Sequence, residues 1–291
     1  MKKVFLIHWA LSLVAFGGGL KVSSLNPILT DMIKKVGGDK VQIGEVMEAG
    51  MDPHSFSPGR QAIKGMQEST LIFAMGKGLE TYLDGLNESL TNGQKIVEVG
   101  RSIPSQKIDA DPIYSCCPTH TRGAIDPHWW HSVKNAERAV KVISSELEKA
   151  DPANKAYYKE NAGQVRKEYR ELHNWVKEQV AHIDKNDRVL VTSHVAFAYF
   201  CKEYGFEAAY VQGLSRESEI SARLLANTVK ELRDKKVKAV FPEVLANPKM
   251  LQQIAKETNA KVGTPLYADV CTSSYEHLIR HNVKAIVSAL K

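Results

Sequence analysis

The sequence predicts an α/β protein of two lobes, each a roughly four-stranded parallel sheet with flanking helices, joined by one long rigid helix. Three observations predict it. Short β-rich runs alternate with helical runs between 20 and 100, the same alternation resumes after Asp187, and one long amphipathic stretch separates the two. Strand, helix, strand at that spacing argues for a parallel sheet covered by helices. At 291 residues, 43% of them hydrophobic, the chain can build two domains of ordinary size.

The N-terminus reads as a secretory signal over 1–19. Lys2 and Lys3 precede an apolar run from Val4 to Phe16, broken only by His8 and Ser12 and followed by Gly17-Gly18-Gly19. That run is shorter than a typical membrane span, and no later segment has 18 consecutive apolar residues. An exported, extracytoplasmic protein is expected, with no lipid-modified cysteine before Cys116. The first lobe, 20–150, offers strands at Lys21–Ser24, Val41–Val46, Leu71–Met75 and Lys95–Val99. Its helices are expected through Asp31–Ile33 up to Gly37-Gly38, over Arg60–Glu68 and over Leu79–Leu90.

The linking helix is predicted over 151–184. Asp151 suits an N-cap and Pro152 the first helical position, and apolar residues fall at Tyr158, Ala162, Val165, Tyr169, Leu172, Val176, Val180 and Ile183, in steps of three and four. Gly163 is its weak point and a candidate bend. The second lobe, 185–291, offers strands at Arg188–Thr192, Glu207–Gln212, Lys238–Phe241 and Lys261–Thr264, with helices over Ser221–Lys235 and Pro248–Thr258. The segment from Arg101 to Ile125 has no periodicity; a loop that long is functional or disordered.

The charge of +6, from 39 basic and 33 acidic residues, includes Lys2 and Lys3 and forms no basic block interleaved with aromatics. Nucleic acid is therefore not an expected partner. Cys116, Cys117, Cys201 and Cys271 are too few for a disulfide scaffold.

The chemistry concentrates at strand exits. Asp52-Pro53-His54 returns as Asp126-Pro127-His128, and proline stiffens such a turn so that it presents an imidazole at its tip. His194 ends the apolar run Val189-Leu190-Val191-Thr192-Ser193, and Asp269 ends Pro265-Leu266-Tyr267-Ala268. Ligands of open α/β sheets collect beyond the carboxyl ends of strands. Three imidazoles and one carboxylate can surround a divalent transition metal, and a nitrogen-rich set suits zinc. Singly, each has an ordinary alternative: His194 as a hydrogen-bonded core histidine, Asp269 as a turn or cap residue. His277 and His281, four apart, read as a solvated helix face, and Cys116, Cys117 and His120 as a loop with oxidisable thiols.

Taken in order, Gly50-Met51-Asp52-Pro53-His54, Asp126-Pro127-His128-Trp129, Thr192-Ser193-His194, Phe241-Pro242-Glu243 with Asn247-Pro248-Lys249, and Tyr267-Ala268-Asp269 resemble the metal-binding solute-binding proteins of zinc/manganese ABC importers. The resemblance covers nearly the whole mature chain. It implies a metal buried between two lobes, held by His54, His128, His194 and Asp269 and delivered to the membrane subunits of an ABC permease by a monomeric carrier. Zinc is favoured and manganese next, with iron(II) behind, because manganese-selective relatives tend to carry a carboxylate where this chain has His194. Zinc-specific members often carry a long His- and acid-rich loop in the first lobe, which here shrinks to Cys116, Cys117 and His120, and Val195 stands where many members have an aspartate. Glu243 is expected to support the site rather than ligate. A secreted zinc hydrolase and a metal-binding adhesin are the alternatives. The hydrolase lacks His-Glu-x-x-His and needs an open position for water. Imidazoles ligate when neutral, so affinity is expected to fall below about pH 6.5.

Overall fold

The computed structural model describes residues 19–90, 93–108, 124–211, 222–270 and 273–291. It contains two four-stranded parallel sheets. The first comprises β1 (Leu20–Ser24), β2 (Val41–Glu45), β3 (Leu71–Ala74) and β4 (Lys95–Glu98) in the order β2-β1-β3-β4. The second comprises β5 (Val189–Thr192), β6 (Glu207–Tyr210), β7 (Ala239–Phe241) and β8 (Lys261–Val262) in the matching order β6-β5-β7-β8. Every expected strand is present to within one to two residues at either end.

The helices are α1 (Pro27–Gly37), α2 (Arg60–Gln67), α3 (Leu83–Ser89), α4 (Val133–Ala150), α5 (Lys155–Val180), α6 (Ala198–Tyr204), α7 (Ala222–Asp234), α8 (Lys249–Thr258) and α9 (Tyr275–Leu290). Two expectations change. Helix α3 starts at Leu83 rather than Leu79, because Gly76, Lys77 and Gly78 all have positive φ and the buried Glu80 carboxylate accepts from Met75 N and Gly76 N. The predicted linker also starts later. Asp151 Oδ2 accepts from Asn154 Nδ2 and Tyr158 OH, which organises a 3₁₀ turn over Pro152–Asn154 before α5 begins. Helix α5 then runs 26 residues without interruption through Gly163, about 39 Å at 1.5 Å per residue. Helices α4 and α6 go beyond the elements assigned from sequence.

The strands explain the core. Along β3, Leu71 and Phe73 enter a central core while Ile72 and Ala74 face an outer cluster with Met66 of α2 and Leu86 of α3. Along β7, Ala239 and Phe241 enter the same central core, and Val240 faces Val229, Leu232, Leu251 and Ile254 of α7 and α8. Alternate residues of a strand point to opposite faces, and a parallel sheet is buried on both, so its strands read as unbroken apolar runs. The inner faces of the two sheets thus share one continuous core with α1, α4, α5, α6 and α9. Helix α5 contributes the whole predicted stripe, Tyr158 through Val180, and packs on α4, α1 and α9. Its opposite face, with Lys159, Glu160, Lys167, Arg170, Glu171 and Lys177, is exposed.

Among the described residues, no helix is long and apolar enough to cross a membrane. The ends of the 101–125 segment are tied together, with Ile108 N donating to Ala124 O and Asp126 N to Gln106 O. Cys116, Cys117, His120 and Cys271 lie outside the described residues, as does the predicted signal segment up to residue 18. Cys201 is a buried free thiol, pushed up by burial.

Two glycines make a matched test. A Cβ on Gly100 would stand 2.4 Å from Met75 O and 2.9 Å from Trp129 Nε1, so Gly100→Ala is expected to destabilise by about 1–3 kcal/mol. At Gly163 a Cβ meets nothing within 4 Å, and Gly163→Ala is expected to stabilise by about 1 kcal/mol. Denaturant midpoints of the two variants check the opposite signs.

Candidate metal site

All four residues singled out from the sequence come together. His54 lies in the loop after β2, His128 between β4 and α4, His194 after β5 and Asp269 beyond β8, each past the carboxyl end of its strand. One ligand atom from each lies within 4.8 Å of the others, the only such group among the described residues. The side chains of His128, His194 and Asp269 are wholly buried, whereas that of His54 retains 13% exposure. The centre therefore meets solvent along its His54 edge.

The two Asp-Pro-His turns work alike at the backbone. Asp52 Oδ1 accepts from His54 N at 3.0 Å, and Asp126 Oδ1 accepts from His128 N at 2.9 Å. Asp126 Oδ1 also accepts from His128 Nδ1 at 2.7 Å, which leaves Nε2 facing the cluster. Glu243 does the same for His194, accepting from its backbone N through Oε1 and from Nδ1 through Oε2. The role expected of Glu243 is the one it has; the ring contact of Asp126 has no distinguishing mark in the sequence. Val195, where an aspartate is common, packs instead with Ile108 and Tyr210.

The separations fit a metal. His54 Nε2 is 3.1 Å from His128 Nε2 and 3.6 Å from Asp269 Oδ1, His128 Nε2 is 3.2 Å from Asp269 Oδ1, and His194 Nε2 is 3.4 Å from Asp269 Oδ2. Four ligands at 2.0–2.1 Å from a zinc ion in tetrahedral array stand about 3.3 Å apart. His194 Nε2 is buried with no hydrogen-bond partner among the described residues, as a nitrogen aimed at a cation would be. His277 and His281 do not join the cluster: their rings stack at 6.4 Å on α9, and His281 donates to Pro265 O. Nor does His131, whose imidazole burial drives down to about 3 and so keeps neutral.

Charge is shared unevenly. Burial lowers the His54 imidazole. Burial also works against charge on His128, yet hydrogen bonds to Asp126 and Asp269 raise it to about 9. Burial would raise the Asp269 carboxyl, but the charge of His194 and hydrogen bonds from His128 and His54 hold it well below its usual range. A proton on His128 thus occupies the place a cation would take.

Residues 22–289 match the family described as "Zinc-uptake complex component A periplasmic". The manganese-binding lipoprotein MntA of Bacillus subtilis (strain 168) is 29% identical over 283 residues, covering 94% of this chain and 90% of that protein. The Mn-bound periplasmic metal binding protein from Candidatus Liberibacter asiaticus superposes with a TM-score of 0.82 at 26% identity, covering 94% of this chain and 100% of that one. The periplasmic zinc binding protein TroA from Treponema pallidum does so with a TM-score of 0.83 at 25% identity, covering 94% and 99%.

Because hydrogen bonds to Asp126 and Asp269 raise the His128 imidazole to about 9, a proton is expected there at neutral pH, and it would have to leave for a metal to bind at Nε2. The pH window expected from sequence therefore moves up: affinity should already fall from pH 8 to pH 6. Calorimetry at pH 7.5 in buffers of different ionisation enthalpy should find about one proton released per zinc; no release would refute the assignment. Glu243→Gln is expected to lower metal affinity by about tenfold to hundredfold by loosening the His194 ring, measured by competition with a chelating dye.

Proposed function

Since the chain belongs to the zinc-uptake complex component A family of periplasmic metal-binding proteins, a match spanning residues 22–289, we propose that it captures a divalent transition metal between its two sheets and delivers it to the membrane subunits of an ABC permease. The observation that carries this reading is the buried cluster of His54, His128, His194 and Asp269. Four protein ligands close the shell of a tetrahedral ion and leave no site for a reactive water. Asp126 and Glu243 are both engaged with imidazole Nδ1, so neither is placed as the general base a hydrolase would need.

Zinc is the first choice of cargo, because three of the four ligands are imidazoles and the separations of 3.1–3.6 Å among His54, His128, His194 and Asp269 lie near the edge length of a tetrahedral shell. Manganese is the second. Asp269 turns Oδ1 towards His54 and His128 and Oδ2 towards His194, so both oxygens line the centre and can serve an ion that prefers more oxygen ligands. Iron(II) follows. The protein works as a monomer whose lobes, 20–150 and 185–291, stay in one arrangement about the 151–184 linker. The core shared by both sheets supports this, because rotating one lobe away would expose it. Release then proceeds through the loops that carry the ligands.

Purified protein is expected to bind zinc most tightly in competition with manganese and iron(II), measured by elemental analysis and calorimetry. His194→Ala and Asp269→Ala are each expected to weaken zinc binding by about a hundredfold or more. Failure of the native protein to bind any of the three metals would end the proposal.

A further inference from the structure

We propose that Trp130, His131 and Asn282 are positioning residues that clamp the segment carrying Asp269, and that this clamp sets how long the site retains its metal. The inference rests on the reading of Asp269 as a ligand. It begins where the β-ladder stops. Leu266 is the last residue of its segment in register with the sheet, with its N donating to Pro242 O and its carbonyl accepting from Val244 N. Beyond it the chain takes its partners from side chains. The Asn282 amide accepts from Tyr267 N and donates to Tyr267 O, both at 2.8 Å, as a neighbouring peptide would. The carbonyl of Ala268 then accepts from two donors, Trp130 Nε1 and His131 Nε2, each at 2.9 Å.

The placement of the donors gives this geometry a function. Trp130 and His131 follow His128 by two and three residues, so the turn that presents one ligand of the first sheet grips the peptide next to the ligand of the second. Tyr275 OH donates to Trp130 O at 2.7 Å and ties the same turn to α9, the helix that carries Asn282. Trp130, His131, Ala268, Asp269 and Asn282 are all buried to within 2%. Two donors on one carbonyl use both of its lone pairs, and neither finds water if the segment moves. The 3.2 Å separation of His128 Nε2 and Asp269 Oδ1 is thereby held by contacts that do not involve the metal. An Asp269 held at bonding distance loses little freedom when the ion binds and does not swing away from it.

The test measures zinc release by stopped-flow capture with a chelator. Trp130→Phe and His131→Phe, each removing one donor, are expected to speed release about tenfold, whereas His131→Gln, which returns an N–H near the Nε2 position, should restore most of the native rate. The same substitutions are repeated on Asp269→Asn, where three imidazoles still bind zinc at higher concentration. If the clamp acts through Asp269, removing it there changes release less than twofold. Equal acceleration in both backgrounds, or no acceleration in either, overturns the proposal. If Trp130→Phe does not fold, the His131→Phe and His131→Gln pair decides alone. If Asp269→Asn holds zinc as tightly as the native protein, it is the ligand assignment that fails instead.

Discussion

Three imidazoles and a carboxylate gathered within a few ångströms, three of the four closed to water, form the constraint on which the rest of the structure depends. Polar groups buried without partners cost several kcal/mol each, and charged ones more. The chain meets that cost by giving every fully buried imidazole of the cluster a carboxylate at Nδ1, Asp126 for His128 and Glu243 for His194. Asp269 stands among the Nε2 atoms, and hydrogen bonds to it and to Asp126 raise the His128 imidazole. The site is therefore built for a cation before a cation arrives, and the same hydrogen bonds that make it tolerable fix which nitrogen ligates.

The surrounding fold supplies four strand exits that converge. Two sheets of identical order, β2-β1-β3-β4 and β6-β5-β7-β8, turn their inner faces to one core. The ligands do not repeat with the sheets: His54 follows the second strand of the first sheet, whereas His194 follows the first strand of the second. Convergence is achieved by loop length instead. Short exits suffice for His194 on the central β5, and the long excursion after β4 returns through the Lys107 and Ile125 bridge to present Asp126 and His128. Helix α5, read from sequence as a strut between lobes, links them as expected, and its apolar stripe packs on α1, α4 and α9.

Much of this was legible because it is local. Parallel strands buried on both faces leave continuous apolar runs, an N-cap followed by proline marks a helical start, and Asp-Pro-His is a stiff turn whatever surrounds it. The four residues of the cluster could be named from those signals and from the order of the motifs. Helix α4 was equally open to reading: Ser132 caps it, and Ala136, Val140, Ile143 and Leu147 fall on one face. Its sequence lacks a conspicuous start such as Asp-Pro. The groups that orient the site were not legible in the same way. Asp126 reaches the imidazole Nδ1 of His128 as well as its backbone N, and that depends on how the ring is turned. Trp130, His131 and Asn282 find their carbonyls across 138, 137 and 15 residues of chain, and no spacing rule encodes such contacts.

The residual exposure of His54 gives the site a direction. A dry centre with one wet edge is approached from one side, so an arriving ion sheds its water first against His54 and meets the other three ligands only as it moves inward. The wet edge belongs to a single stiff turn, Asp52-Pro53-His54, whereas the dry interior end is the one clamped through Ala268 O.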